Sequence, residues 1–255
     1  MLVLIGLGLE AKDISVRALE ELKRADAIYL ERYTAQVEDK YVRYLEQETG
    51  KKLVELHRQD LEDRLDKTIS AAKVKNIAIL FPGDPLIATT HKIIFDYARK
   101  SGIKTKTLHS VSILTVAIGE SGLDAYRFGP VITIPFWQDG YKPVSFIDSI
   151  RKNLENNEHS LLLLDIDQKN SRFMNLHEAF DVLKKADAQG AKTVIADNTS
   201  FVMIANGGKE SQVVRYGKMS ELEKIPYAEL KDKILSLVLP AKLSFVEQES
   251  LKRFE

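Results

Sequence analysis

Short apolar runs alternate with segments whose apolar residues recur every three or four positions, and this alternation organises the first half of the chain. Leu2–Ile5, Ala27–Leu30, Lys52–Leu56, Ile77–Leu80 and Lys104–Leu108 read as strands. Between them, Val16, Leu19 and Leu22, an amphipathic piece with Val42 and Leu45, then Leu61, Leu65 and Ile69, and finally Ile93, Ile94, Tyr97 and Ala98 carry helical spacing. Alternating strands and helices predict a mainly parallel sheet. Ile77-Ala78-Ile79-Leu80 has no polar position at all, as a strand buried on both faces requires.

The second half has a different rhythm. Val131–Ile134 and Ser160–Asp165 read as strands around a helix bearing Phe146, Ile147, Ile150 and Leu154, and a further helix spans about Leu176 to Lys185. Thr193–Asp197, Phe201–Ala205, Gln212–Tyr216 and Leu235–Leu239 are four strand-like runs with little helix between the first three, which predicts hairpins and a mixed sheet. The fold class is therefore α/β in two domains, residues 1–110 around a mainly parallel sheet and residues 111–255 around a mixed one. No Gly/Ser-rich linker separates them, so the cleft between them is the expected ligand site.

Two turns follow strands in positions where open α/β sheets bind ligands. Pro82-Gly83-Asp84-Pro85 joins the most apolar strand to the next helix, with the prolines fixing backbone angles and Thr89 or Thr90 placed to cap that helix. By spacing alone, a stiff connection and a ligand contact are equally good readings of it. Gly6-Leu7-Gly8 follows the first strand, with Asp13 placed to cap the helix beyond. A dinucleotide fingerprint needs a third glycine three positions after Gly8, where this chain has Ala11. Glu10 and Asp13 also put negative charge where a pyrophosphate would lie, so a cationic or phosphate-free ligand fits better.

Charge narrows the partners. Lys plus Arg and Asp plus Glu both number 37 over 255 residues, which argues against a nucleic-acid-gripping protein. Cysteine is absent, excluding a thiolate nucleophile and Cys-built metal centres. The five histidines, His57, His91, His109, His159 and His177, lack metal-ligand spacing, so no metal is expected. Met1–Ile5 has no basic flank and reads as a strand, and Leu161–Leu164 is stopped by Asp165, so neither a signal peptide nor a membrane span is expected. Ser112 and Ser200 lack a nucleophile elbow and read as caps or turns. Asp165 and Asp167 end a strand, Glu31-Arg32-Tyr33-Thr34 follows another, and Gly122 to Gly129 encloses Tyr126-Arg127-Phe128. Each is a site position or a structural turn.

Taken in order, these stretches resemble the diphthine synthase family within the tetrapyrrole methylase-like group of S-adenosylmethionine-dependent methyltransferases. The resemblance runs nearly end to end. It is carried by Ile5-Gly6-Leu7-Gly8-Leu9 with Asp13-Ile14, by Glu31-Arg32-Tyr33-Thr34, and by Gly83-Asp84-Pro85-Leu86-Ile87-Ala88-Thr89-Thr90-His91. Further along it includes Ser112-Ile113, Gly122-Leu123 with Tyr126-Arg127-Phe128-Gly129, Leu163-Leu164-Asp165-Ile166, and Pro240 to Leu243 with Val246-Glu247. The glycine turn and Gly-Asp-Pro belong to the wider group; the Ala-Thr-Thr-His extension and the Tyr-Arg-Phe-Gly stretch are the narrower signature.

The resemblance implies a cytoplasmic homodimer that methylates the amino nitrogen of a 3-amino-3-carboxypropyl-histidine on translation elongation factor 2, a step of diphthamide synthesis, with S-adenosylhomocysteine as product. It implies a cofactor held by Leu9, Asp84, Ile87, Ser112, Ile113, Leu164, the segment around Gly207, and Leu235, where the family's late histidine is replaced. Tyr33, Tyr126 and Phe128 are candidate linings for the acceptor nitrogen, which becomes a quaternary ammonium. The pattern assigns no catalytic side chain: a sulfonium methyl donor is already activated, so alignment does most of the work. Two other readings stay open: a methyltransferase of the same fold acting on a tetrapyrrole or ribosomal RNA, and a nucleotide-binding protein without methyl transfer.

Overall fold

Five strands of the first half form one parallel sheet: β1 Leu2–Gly6, β2 Ala27–Glu31, β3 Leu53–Leu56, β4 Ile77–Phe81 and β5 Thr105–Leu108. They lie in the order β3-β2-β4-β1-β5, with Gly6 beside Phe81 and Ile5 beside Leu108. A computed structural model describes residues 1–32, 37–89, 91–167, 170, 172–190 and 193–255. The chain divides into two units, Met1–Ile113 and Leu114–Glu255.

In the first unit β1 and β4 are central and buried at every position. Because successive strand side chains point to opposite faces, these strands feed two cores. Val3, Ile5, Ala78 and Leu80 pack with Leu22 and Leu45 on one face, while Leu2, Leu4, Ile77, Ile79 and Phe81 pack with Leu65, Ile69, Ile94 and Ala98 on the other. Burying each such Leu or Ile contributes about 1.5–3 kcal/mol.

The second unit contains β6 Ile132–Ile134, β7 Ser160–Leu164, β8 Ile166–Asp167, β9 Arg172–Phe173, β10 Ser200–Ala205, β11 Val213–Lys218 and β12 Leu235–Leu239. Five of them make a mixed sheet in the order β11-β10-β12-β7-β6, parallel only between β6 and β7, while β8 and β9 pair separately. Helices Ser145–Glu155 and Leu176–Asp187 cover one face, burying Ile147, Ile150, Phe180 and Leu183 against Leu162, Phe201, Met203 and Leu237. Asn175 and Glu178 cap each other's backbone at the start of the second of these helices.

Four expectations are corrected. Thr193–Asp197 is not a strand: the buried Asp187 carboxylate accepts from the N–H groups of Val194 and Ile195 at 2.8 and 2.9 Å, so those donors are not offered to a ladder. The segment around Leu61, Leu65 and Ile69 is two short helices, Arg58–Glu62 and Leu65–Ile69, rather than one. Ser15, not Asp13, caps helix Val16–Arg24. Thr89 does not cap helix Lys92–Lys100, whose N-terminus follows His91, and Thr90 lies outside the described residues.

Candidate active site

The C-terminal ends of β4, β1 and β5 meet at a point that a side chain would block. A Cβ on Gly6 would lie 2.6 Å from the Gly83 carbonyl oxygen, 2.8 Å from Ser110 Cβ and 3.0 Å from Pro85 Cδ. Gly8 and Gly83 exchange backbone hydrogen bonds of 3.1 and 2.8 Å, so the two glycine turns are stitched together. Both are in the left-handed region, at φ +76° and +65°, where glycine is favoured.

Asp84 sits above this bare strand end and is only 5% exposed. One carboxylate oxygen accepts from Leu86 N–H at 2.9 Å. The other accepts from Ser110 N–H at 3.1 Å and bonds His109 Nδ1 at 2.9 Å. Since β1 lies between β4 and β5, Asp84 reaches across β1, and only the missing side chain at Gly6 permits that crossing. A burial this deep is sustained because each oxygen has N–H donors.

Asp13 does something the sequence did not suggest. Its carboxylate accepts from Leu9 N–H at 2.8 Å and Glu10 N–H at 2.9 Å, taking donors that a pyrophosphate-binding turn would direct at its ligand. Tyr41 donates to the Leu7 carbonyl at 3.2 Å from the other side. Burial raises the pKa of that phenol, and the Asp13 charge adds to the shift.

Beyond Asp84 the chain arches through Ile87, which is 42% exposed, and Ala88, a non-glycine residue at φ +57°. His91 closes the arch: it is 4% exposed, its ring lies 4.4 Å from that of Phe81, and Nδ1 is 2.8 Å from the Thr89 hydroxyl. Burial pushes its pKa down to about 4, against an opposing hydrogen bond to the Pro85 backbone.

In the second unit, Leu164, Leu235 and Gly207 come to the same end of neighbouring interior strands. Leu163 pairs with Ser236, which makes Leu164 and Leu235 neighbours, and Leu235 pairs with Ala205 at the end of β10. Gly207 follows in the turn to β11, behind Asn206, which is at φ +51° and accepts from Ile234 N–H at 3.0 Å. Asp165, just past Leu164, accepts from Phe136 and Ile166 N–H at 3.0 and 2.9 Å and so joins the ends of β6 and β7.

The Tyr126-Arg127-Phe128-Gly129 stretch is built into a separate network. Arg127 pairs with the buried Glu247 and donates to the Lys242 carbonyl at 2.7 Å. Glu247 also bonds His159 Nε2 at 2.8 Å, and Ala241 N–H donates to His159 Nδ1 at 2.9 Å. Phe128 meets the His159 ring edge-on at 5.4 Å, whereas Tyr126 is 99% exposed. Burial lowers the His159 pKa despite its Glu247 partner. Burial alone would raise the Glu247 pKa, but hydrogen bonds from Ser244, His159 and Asp124 hold it at about 2.

Residues 1–223 match the family model of tetrapyrrole (corrin/porphyrin) methylases. A diphthine synthase of Methanothermobacter thermautotrophicus is 38% identical over 252 residues, covering 98% of this chain and 94% of that protein. A diphthine synthase of Methanocorpusculum labreanum is 36% identical over 255 residues, covering 100% and 98%. A crystal structure of diphthine synthase superposes with a TM-score of 0.86 at 34% identity, covering 100% of this chain and 96% of the other. The chain belongs to the diphthine synthases of the tetrapyrrole methylase family.

For a diphthine synthase, the expected cofactor residues fall into two groups. Leu9, Asp84, Ile87, Ser112 and Ile113 lie in loops after β1, β4 and β5, with Ser112 buried and Ile113 opening helix Ile113–Glu120. Leu164, Gly207 and Leu235 share one end of the second sheet's interior strands. Tyr33 and Thr34 lie outside the described residues; the adjacent Arg32 pairs with Glu55 at 2.6 Å and Asp39 at 3.0 Å. Sequence reasoning missed His109 and Ser110 as partners of Asp84, and Gly6 as the gap that lets them meet. Their only signal was position after β5, and the strand order that gives it meaning is not local information. Among the described residues no group of three or more His, Asp or Glu side chains is arranged to hold a metal ion, and no helix is long and apolar enough to cross a membrane.

Proposed function

We propose that this diphthine synthase transfers methyl groups from S-adenosylmethionine to the amino nitrogen of a 3-amino-3-carboxypropyl-histidine on translation elongation factor 2, giving diphthine and S-adenosylhomocysteine. The observation that carries the reading is identity of 38% sustained over nearly the full length of both chains. The C-terminal end of the first sheet's strands suits the cofactor. It offers backbone and one fixed carboxylate, a Cβ at Gly83 would have, among the described residues, only the Val111 carbonyl within reach at 3.8 Å, and the N–H groups of Leu9 and Glu10 are already taken by Asp13. That donor set favours a cationic, phosphate-free ligand over a dinucleotide.

Leu9, Asp84, Ile87, Ser112 and Ile113 of the first unit, with Leu164, Gly207 and Leu235 of the second, are the residues assigned to the cofactor. When bound, S-adenosylmethionine supplies a methyl group on a sulfonium sulfur already activated for displacement. The protein's part is to align the groups and exclude water. Asp84 brings a negative charge whose direction is set by Leu86, His109 and Ser110. Tyr33, Tyr126 and Phe128 are the aromatic candidates on the acceptor side, where a nitrogen gaining methyl groups acquires permanent charge. The enzyme is proposed to work in the cytoplasm as a homodimer, for which sedimentation should return the mass of two chains.

Incubation with S-adenosylmethionine and elongation factor 2 carrying the unmethylated intermediate should add methyl mass to that one histidine. No mass gain on the factor, with methylation of ribosomal RNA or a tetrapyrrole instead, would overturn the assignment of the acceptor.

A further inference from the structure

The arch from Pro85 to Thr89 is held at both ends by buried side chains. At its start, Asp84 fixes Leu86 N–H at 2.9 Å. At its close, the His91 ring is tied to Thr89 Oγ1 at 2.8 Å and to the Pro85 backbone. Pro85 has no N–H, so the ring is the donor there and the Pro85 carbonyl the acceptor. A neutral imidazole has one N–H and one lone pair, and Pro85 and Thr89 use both. The ring also lies against that of Phe81 in β4, tilted by 42° with 4.4 Å between centroids, so it is seated on a strand buried at every position. What it restrains is a strained shape, since Ala88 sits at φ +57° in a region that costs a non-glycine residue free energy. Ile87 stands exposed beside that strained position.

We infer that His91 is a positioning residue for methyl transfer: it locks the Pro85–Thr89 arch in the one conformation that presents Ile87 and its backbone to the cofactor. The inference rests on the assignment of Asp84 and Ile87 to the cofactor site. His91 itself is only 4% exposed, so its proposed part is to hold the arch. Histidine suits the role because one flat ring offers an apolar contact surface, a donor and an acceptor together. The downward shift of its pKa keeps the ring neutral at physiological pH, so both hydrogen bonds persist there.

The test is calorimetric titration of S-adenosylhomocysteine into the wild type, His91→Ala, His91→Gln, Thr89→Val and Asp84→Ala, with melting temperatures recorded for each. Loss of two hydrogen bonds predicts that His91→Ala raises the dissociation constant about tenfold, and loss of one that Thr89→Val raises it about threefold. His91→Gln, which keeps an amide donor and acceptor, should restore most of the affinity. In turnover, KM for S-adenosylmethionine should rise more than kcat falls. A merely structural histidine would lower the melting temperature and leave the dissociation constant of the folded protein unchanged, and that result overturns the inference. If His91→Ala does not fold, Thr89→Val decides by the same criterion. Wild-type affinity in Asp84→Ala means that the cofactor assignment itself has failed and His91 falls with it; weakening in Asp84→Ala without weakening in the His91 and Thr89 variants rejects His91 alone.

Discussion

Asp84 and Glu247 are both buried carboxylates that bind a histidine and accept from two backbone N–H groups, yet their settings are opposite. Asp84 stands at the end of a parallel strand, and its partner His109 is 64% exposed at the side chain. Glu247 is enclosed by Arg127, His159, Ser244 and Asp124, with His159 completely buried. One end of the Asp84 network opens outward at a turn whose positive φ at Gly83 favours glycine. The Glu247 network closes on itself and fastens helix Phe245–Leu251 to the start of β7. Carboxylate–histidine chemistry therefore does not mark a site by itself; what distinguishes the Asp84 network is the exposure of its histidine and the bareness of the adjacent backbone.

The largest effect that separates the two regions should come from Glu247→Ala. Removing one member of a buried charged cluster strands Arg127 and His159, at a cost of about 3–5 kcal/mol. Urea unfolding should show that loss, with affinity for S-adenosylhomocysteine unchanged in the folded protein.

Acid should next act on each region in its own pH window. The folded-state pKa of His91 is about 4 against an ordinary 6.5, so the unfolded chain takes up a proton first. Its contribution is complete above about pH 6.5 and is lost as pH falls toward 4, by up to about 3 kcal/mol. Glu247, held at about 2 against an ordinary 4.5, gives stability that is lost only between those lower values. Unfolding followed against pH should show two descending steps, and His91→Gln should shrink the upper one, leaving the share of His159, whose pKa burial also lowers.

Gly6→Ala comes third. The added Cβ would meet the Gly83 carbonyl at 2.6 Å, and relief must push β4 and β5 apart, costing about 1–3 kcal/mol. Affinity for S-adenosylhomocysteine should fall with it because Asp84 loses its reach to Ser110. The smallest effect belongs to His109→Ala: its pair with Asp84 is largely solvent-exposed on the histidine side, so stability should change by less than about 1 kcal/mol in thermal unfolding.

The fold was legible where local patterning suffices. Ile77-Ala78-Ile79-Leu80 declared a strand buried on both faces, and the change of rhythm after residue 110 announced a second sheet of mixed direction. Legibility stopped where side chains replace backbone partners. Asp187 takes the N–H groups of Val194 and Ile195, so an apolar run at Thr193–Asp197 makes no strand. The same limit applied to the candidate site. Asp84 and its turn could be picked out because Pro-Gly-Asp-Pro is local, but its bond to Ser110 crosses an intervening strand. Glu247 shows both halves of the lesson: Ser244 three residues before it forms a readable capping box, whereas His159 and Arg127 lie 88 and 120 residues away.

The most direct measurement is titration of S-adenosylhomocysteine and of NAD into wild-type protein and Asp84→Ala. S-adenosylhomocysteine should bind the wild type, NAD should not, and Asp84→Ala should weaken the former about tenfold or more, the loss of hydrogen bonds from a charged group being worth about 1.5–3 kcal/mol. Equal affinity in Asp84→Ala, or binding of NAD in place of S-adenosylhomocysteine, would contradict the assignment of this strand end to a sulfonium cofactor.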